Sequence, residues 1–293
     1  MEHGFHPMRS FLFTPANHAR RVEKVFEIGA DAVILDLEDA VAVSEKPAAR
    51  TCVVEAFQRQ STRARHYVRV NSVDTPYCEE DIGATVGPWL DGVVLPKVES
   101  PRCLNKLETW LAAAESEQGM EVGQLDLMPI IETAKGIEAA VDIATANSRV
   151  RRLAFGGGDY TLDLNYVWNE DEQVLAYARA KLSHASRLGD LEPPIDTVVL
   201  QIKDDARFLI SAEHGKQFGF GGKLCIHPSQ VPLTHQIFTP SEEEIAHARA
   251  VVAAFEAAEA AGSASIQLDG YFIDYPIVYK SQRILALAER LQT

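Results

Sequence analysis

Apolar and polar positions recur along the chain as one unit: a short apolar run closed by a polar residue, then a stretch with helical spacing. The first four runs are Ser10-Phe11-Leu12-Phe13, closed by Thr14-Pro15; Ala32-Val33-Ile34-Leu35, leading into Asp36-Leu37-Glu38-Asp39; His66-Tyr67-Val68-Arg69-Val70-Asn71; and Gly92-Val93-Val94-Leu95-Pro96-Lys97. Leu127-Met128-Pro129-Ile130-Ile131-Glu132, then Arg152-Leu153-Ala154-Phe155 before Gly156-Gly157-Gly158-Asp159, continue the series. Thr197-Val198-Val199-Leu200 and Lys223-Leu224-Cys225-Ile226-His227-Pro228 bring it to eight. Alternation of this kind predicts βα units and a parallel sheet. Eight units predict an α/β protein with a closed (β/α)8 barrel, the TIM barrel, whose usual size is about 250 residues. A doubly wound open sheet uses the same local pattern, but the GxGxxG turn that often marks one is missing. Proline cannot donate to a ladder, so Pro129 is expected at a strand's start or at a bulge.

Residues 1–240 thus read as the barrel domain and residues 241–293 as a C-terminal helical extension. Ser241-Glu242-Glu243-Glu244 is a capping box, and Ile245, Ala248, Val252 and Phe255 repeat at helical spacing before Gly262 ends the helix. After a polar stretch come Asp269-Gly270-Tyr271-Phe272-Ile273-Asp274-Tyr275-Pro276 and a last amphipathic helix through Ile284, Leu287 and Leu291. Such a tail either covers the bottom of its own barrel or reaches a barrel mouth, its own or a neighbouring subunit's.

Composition narrows the function classes. Over 293 residues, 28 Lys+Arg against 42 Asp+Glu leave a net charge of −14, with 46% hydrophobic residues. That balance suits a globular protein with a large core and argues against nucleic acid, which needs a broad basic footprint. No apolar run approaches the roughly 20 residues of a membrane span, and no secretory signal is evident. The four cysteines are widely spaced, so reduced thiols and a cytoplasmic location are expected, with Cys52 and Cys225 in the core. No tight histidine spacing suggests zinc; the one close pair, His3 and His6, lies at the N-terminal end.

In a barrel, all strand C-termini open on one face, where chemistry is built. The polar residues closing the runs are Asp36, Glu38, Asp39, Arg69, Lys97, Glu132, Asp159 and His227. Carboxylates crowded on one mouth repel one another, and a hard divalent cation with oxygen ligands relieves that repulsion. Glu132 and Asp159 are the expected direct ligands, with Asp36, Glu38 and Asp39 fixing water and cations around them. Helix capping is the competing reading of both ligand candidates. Arg69, pointing away from the face of Val68 and Val70, could hold a carboxylate, a thioester oxygen or an enolate, or only a salt bridge to Glu38. For Lys97 a salt bridge to one of these acids is expected, and for His227 a structural role. Phe13 and Lys24, with His18-Ala19-Arg20-Arg21 between them, form a small basic cluster that could grip a phosphate or merely line a solvated helix.

Arg9-Ser10-x-Leu12-Phe13-x-Pro15, Leu35-Asp36-Leu37-Glu38-Asp39-Ala40-Val41 with Lys46 and Ala49-Arg50, and Val68-Arg69-Val70-Asn71 resemble the citrate lyase β-subunit-like family of HpcH/HpaI aldolase-type barrels. So do Pro96-Lys97-Val98-Glu99, Ile131-Glu132-Thr133-Ala134, Phe155-Gly156-Gly157-Gly158-Asp159 and Gly222-Lys223-x-x-Ile226-His227-Pro228-x-Gln230. The resemblance runs from about Arg9 to the C-terminus and includes malyl-CoA, β-methylmalyl-CoA and citramalyl-CoA lyases. It implies a Mg²⁺-bearing TIM barrel, trimeric or hexameric, with Glu132 and Asp159 as Mg²⁺ ligands and Arg69 on the acyl or oxo-acid oxygens. Phe13 and Lys24 match positions lining a CoA site, Ile226 and Pro228 would pack along pantetheine, and Gly158 leaves room for substrate beside Asp159. Asp274 would act as acid/base in the next subunit's active site, with Glu38 and Asp39 counted among the catalytic acids. Ala16 and His18 depart from the family pattern beside the CoA-facing turn, and Asn165 replaces a frequent Gly.

The activity implied is Mg²⁺-dependent cleavage of a 3-hydroxyacyl-CoA thioester to acetyl-CoA and a 2-oxo acid, pyruvate or glyoxylate. The His18 change inclines the choice toward citramalyl-CoA. Rival readings are a citryl-CoA lyase subunit working on a carrier-bound thioester and an aldolase for free hydroxy-oxo acids. Partners are therefore the acyl-CoA substrate, the 2-oxo acid and further copies of the chain, with neither nucleic acid nor membrane.

Overall fold

The computed structural model describes residues 7–60, 63–146 and 149–292; His3 and His6 lie outside them. The chain divides into two compact units, Met8–His235 and the segment from Gln236 onward. In the first, eight parallel strands close in sequence order: β1 Ser10–Pro15, β2 Ala32–Asp36, β3 Arg65–Arg69, β4 Gly92–Leu95, β5 Asp126–Ile131, β6 Ala154–Phe155, β7 Ile195–Asp196 and β8 Gly222–Cys225. Pairing of β1 with β8 completes the (β/α)8 barrel expected from the run count.

The connecting helices are α1 Ala19–Val25, α2 Lys46–Arg59, α3 Tyr77–Thr85, α4 Pro101–Glu117, α5 Ala134–Glu138, α6 Ala140–Thr145, α7 Gly157–Asp163, α8 Ala176–Leu188, α9 Asp205–Gln217 and α10 Gln230–Phe238. Each long helix buries one stripe. In α4, Leu104, Leu107 and Leu111 recur at three- and four-residue spacing and are fully buried, each stabilising the fold by roughly 1.5–3 kcal/mol. In α2 the stripe runs through Ala49, Val53 and Phe57, one step from Cys52. Cys52 is consequently half-buried rather than a core residue, while Cys78 and Cys225 are buried; all four thiols are free.

Two expectations change. Pro129 sits inside β5, opposite Leu95, the last residue of β4, and β6 joins β5 only from Ile130. Its missing N–H therefore falls where the ladder is already incomplete. The seventh strand lies before the apolar run that announced it: β7 pairs Ile195 with Gly222 and Asp196 with Lys223, and Thr197–Leu200 leads out of the barrel. Asp196 is decisive here, because its carboxylate turns outward between sheet and helices. It accepts from Lys223 Nζ at 2.8 Å and from Arg179 Nε at 3.0 Å, all three residues being essentially inaccessible. Buried charges must be paired, and this pairing ties β7, β8 and α8 together. Beyond Asp196, the Val199 carbonyl accepts from Gln230 Nε2 at 3.0 Å, a side chain standing in for a ladder.

In the second unit, α11 Glu242–Ala260 opens with the expected capping box, and the hairpin β9 Ile266–Leu268 with β10 Tyr271–Ile273 leads into α12 Tyr275–Gln292. The hairpin turn, Asp269-Gly270, has φ of 49° and 85°, the left-handed pair that a two-residue turn between right-twisted strands requires. Val251, Phe255, Ile273 and Val278 form its core. Among the described residues no helix is long and apolar enough to cross a membrane.

Candidate active site

Parallel register builds the site. β2 and β3 align so that their last residues, Asp36 and Arg69, are direct neighbours. Arg69 grips Asp36 with two bonds, Nε to Oδ1 at 2.7 Å and Nη2 to Oδ2 at 2.5 Å, and lies 3.0 Å from Glu38 through Nη1. Its guanidinium also covers the Phe13 ring at 4.8 Å. Burial alone would weaken the charge of Arg69, but Asp36, Glu38 and Glu132 reverse that and hold it protonated above its ordinary range. The bridge to Glu38 exists as one of the two readings required, yet Asp36 is the stronger partner.

Glu38 and Asp39 are joined by Lys97, whose Nζ donates at 2.6 and 3.0 Å, the salt bridge expected of that lysine. Glu38 is buried, whereas Asp39 is exposed. The loop carrying them is anchored from behind by Lys46 Nζ, which donates to the Leu37 carbonyl at 2.6 Å and to Asn71 Oδ1 at 2.8 Å. Asn71 in turn donates to Asp81, and Asp81 accepts from Arg50 Nε at 2.8 Å. This support was not assigned from the sequence, although Lys46, Arg50 and Asn71 all fall within the segments that carry the family resemblance.

Glu132 follows β5 and is 3% exposed. Its Oε1 accepts from the Lys97 backbone N–H at 2.7 Å, a direction made possible by the left-handed φ of 54° at Lys97. Burial raises its carboxyl to about 8, reinforced by the nearby charges of Asp159 and Glu38. Gly156 makes the approach possible, since a Cβ there would lie 2.2 Å from Glu132 Oε2. Asp159 stands in the first turn of α7. Neither acid is a cap: α5 is capped by Thr133, whose Oγ1 accepts from Gly136 N at 3.1 Å, and the N-cap of α7 is Gly156, which has no side chain.

These groups surround a cleft of about 400 Å³ lined by Phe13, Arg69, Glu132, Gly158, Asp159 and Val198. A second cleft, about 580 Å³, is lined by Phe13, Arg20, Arg21, Lys24, Ile226 and Pro228. Phe13, Pro15, Arg21 and Ile226 belong to both, so the two clefts adjoin. His227 lines the second cleft and bonds Ser229 Oγ at 2.8 Å, a local contact. Among the candidate site residues, Asp274 belongs to the second unit: it precedes α12, its carbonyl accepting from Ile277 N and Val278 N at 3.1 Å.

The donor set suits a hard cation. Among the described residues no three His, Cys, Asp or Glu side chains gather as a complete ligand set. Glu132 and Asp159 supply two carboxylates, and the cleft leaves positions for water and substrate, as magnesium prefers. Burial of Glu132 near a second acid disfavours its charged form, a cost that a divalent ion held between them would offset.

The sequence profile of the HpcH/HpaI aldolase/citrate lyase family matches residues 9–228. The chain is 37% identical over 281 residues to the citrate lyase subunit beta of Leuconostoc mesenteroides subsp. cremoris, covering 96% of this chain and 93% of that one. It is 32% identical over 292 residues to a (3S)-malyl-CoA thioesterase of Cereibacter sphaeroides, covering 99% and 98%. The crystal structure of CitE from Mycobacterium tuberculosis, in complex with magnesium, acetoacetate and coenzyme A, superposes with a TM-score of 0.78 at 27% identity, covering 97% of this chain and 98% of that one. A closed barrel carrying these acids at its mouth, together with a profile match over most of the chain, makes this protein an enzyme of the HpcH/HpaI aldolase/citrate lyase family.

Proposed function

We propose that this enzyme is a Mg²⁺-dependent carbon–carbon lyase that cleaves a 3-hydroxyacyl-CoA thioester of the malyl-CoA or citramalyl-CoA type to acetyl-CoA and a 2-oxo acid. The observation that carries the reading is the cleft holding Glu132, Asp159 and Arg69, adjoining a second cleft lined by Arg20, Arg21 and Lys24. One compartment suits a small hydroxy acid and a cation. The other suits a long thioester arm ending in phosphates.

Glu132 and Asp159 would hold the ion. The chemistry it supplies when bound is positive charge against the substrate's 3-hydroxyl and adjacent carboxylate, which lowers the hydroxyl pKa. Cleavage breaks the bond between C2 and C3 of the acyl chain: the hydroxyl's proton would pass to the Asp274 carboxylate of a neighbouring copy, the oxygen becomes the carbonyl of the departing oxo acid, and the electron pair passes to C2 as the thioester enolate. Arg69 is already fixed by Asp36 and Glu38, so its remaining N–H groups can meet the enolate oxygen without reorganising. Asp274 of a neighbouring copy, in a trimer or hexamer, would return a proton to C2 and yield acetyl-CoA. Phe13, Ile226 and Pro228 offer the apolar wall along which pantetheine would lie, with Lys24 toward the phosphates.

Incubating the purified protein with Mg²⁺ and malyl-, citramalyl- or citryl-CoA, and separating thioesters from free CoA, tests this. Acetyl-CoA and an oxo acid in equal amounts support a lyase. Release of free CoA without acetyl-CoA would make the enzyme a thioesterase instead. A second reading, lysis of a citryl thioester on an acyl carrier, is favoured by the 37% identity to a citrate lyase beta subunit. It predicts turnover only when carrier-bound substrate replaces the CoA ester.

A further inference from the structure

The buried charges behind β7 take no direct part in the proposed chemistry, yet they end one residue from the site. Asp196 is locked by Arg179 Nε at 3.0 Å, Arg179 Nη2 at 2.9 Å and Lys223 Nζ at 2.8 Å, and Lys223 is held in turn by Ser211 Oγ at 3.0 Å. The next residue, Thr197, is 1% exposed, and its Oγ1 accepts from the Gly157 backbone N–H at 2.8 Å. Gly157 is the first residue of α7, and the N-cap before it, Gly156, has no side chain to cap the helix. Thr197, just past the end of β7, thus satisfies one of the backbone N–H groups that a helix start leaves without an intrahelical partner. Thr197 also fills the space against Gly157, since a Cβ there would meet Oγ1 at 2.9 Å and Cγ2 at 3.1 Å.

We propose that Thr197 is a positioning residue that fixes the start of α7, and through it Asp159, at the barrel mouth. Only Gly158 separates Gly157 from Asp159, so a shift of the helix start carries that carboxylate with it. The Asp196 cage, tied to β8 and α8, gives Thr197 a rigid base. The consequence for cation binding rests on the reading of Asp159 as a ligand; the hold on α7 does not.

Two measurements test the proposal. In metal-free protein, amide hydrogen exchange is followed on the peptide spanning residues 155–163. Separately, Mn²⁺ is titrated and bound ion counted by electron paramagnetic resonance. Thr197→Val keeps the side chain's shape but removes the acceptor, leaving a buried N–H unpaired; Thr197→Ser keeps the acceptor. Thr197→Val is expected to exchange faster in this peptide and to bind Mn²⁺ about tenfold more weakly. Thr197→Ser should stay near wild type in both. Wild-type exchange in Thr197→Val, or equal damage from the two substitutions, overturns the proposal. If Thr197→Val does not fold, Thr197→Ala against Thr197→Ser makes the same comparison. Unchanged Mn²⁺ affinity in Glu132→Gln would refute the metal reading instead, with the exchange contrast still deciding the role of Thr197.

Discussion

Replacing Glu132 by Gln should stabilise the metal-free protein, although it removes a residue on which the proposed function depends. In the folded state the Glu132 carboxyl is raised from 4.5 to about 8, first by burial and then by the charges of Asp159 and Glu38. At 1.36 kcal/mol per pH unit, that gap corresponds to roughly 4–5 kcal/mol of strain once the group is ionised. At 3% exposure, solvent screening relieves little of it. The sign follows from proton linkage. Below pH 4.5 both folded and unfolded chains carry the proton and Glu132 adds no penalty. As pH rises toward 8 the unfolded chain has released its proton while the folded chain keeps it, so stability falls across the window and levels off above it. Gln carries no charge and can still accept from Lys97 N through its amide oxygen. After allowance for relaxation, Glu132→Gln should gain about 2–4 kcal/mol near pH 8.5 and almost nothing near pH 4.5. Urea unfolding of chelator-treated protein at a series of pH values measures this. With saturating Mg²⁺ the order should narrow or reverse, because only wild type gains the ion's binding energy. A gain independent of pH, or a loss of stability at pH 8.5, would refute the argument that Glu132 is a strained acid waiting for a cation.

Gly156→Ala should cut Mn²⁺ affinity at least tenfold while leaving the circular dichroism spectrum unchanged, because its Cβ would lie 2.2 Å from Glu132 Oε2; wild-type affinity would show that the approach tolerates a methyl. Arg69→Lys keeps a charge but loses the paired grip on Asp36, and should lower kcat/KM about a hundredfold with the fold retained, as read from steady-state kinetics with a competent CoA ester. Lys223→Met leaves Asp196 buried beside Arg179 alone and should destabilise the protein by roughly 3–5 kcal/mol in urea unfolding. Asp274→Asn should spare binding of a CoA ester in calorimetry while slowing turnover; an unchanged rate would remove that residue from the reaction.

How much of this was legible before folding depends on the range of each interaction. Strand runs, the capping box at Ser241 and the acids closing β2 and β5 are written locally, because a strand needs an apolar run and a helix start needs an acceptor within three residues. The seventh strand was misplaced for the same reason. Thr197-Val198-Val199-Leu200 is the most apolar stretch in its neighbourhood, but the ladder ends at Asp196, where a buried ion pair with a residue of the next strand sets the register.

From the sequence alone, then, follow the barrel, the face on which polar strand ends gather, and a short set of acids and one arginine able to do chemistry there. The folded chain alone decides that Asp36 rather than Glu38 is the principal partner of Arg69, that Gly156 leaves room for the Glu132 carboxylate, and that Thr197 reaches Gly157. Periodicity is a property of neighbours along the chain and survives in the sequence. Which carboxylate meets which cation depends on strand register and on how the sheet closes, and those are settled only when all eight strands have packed together.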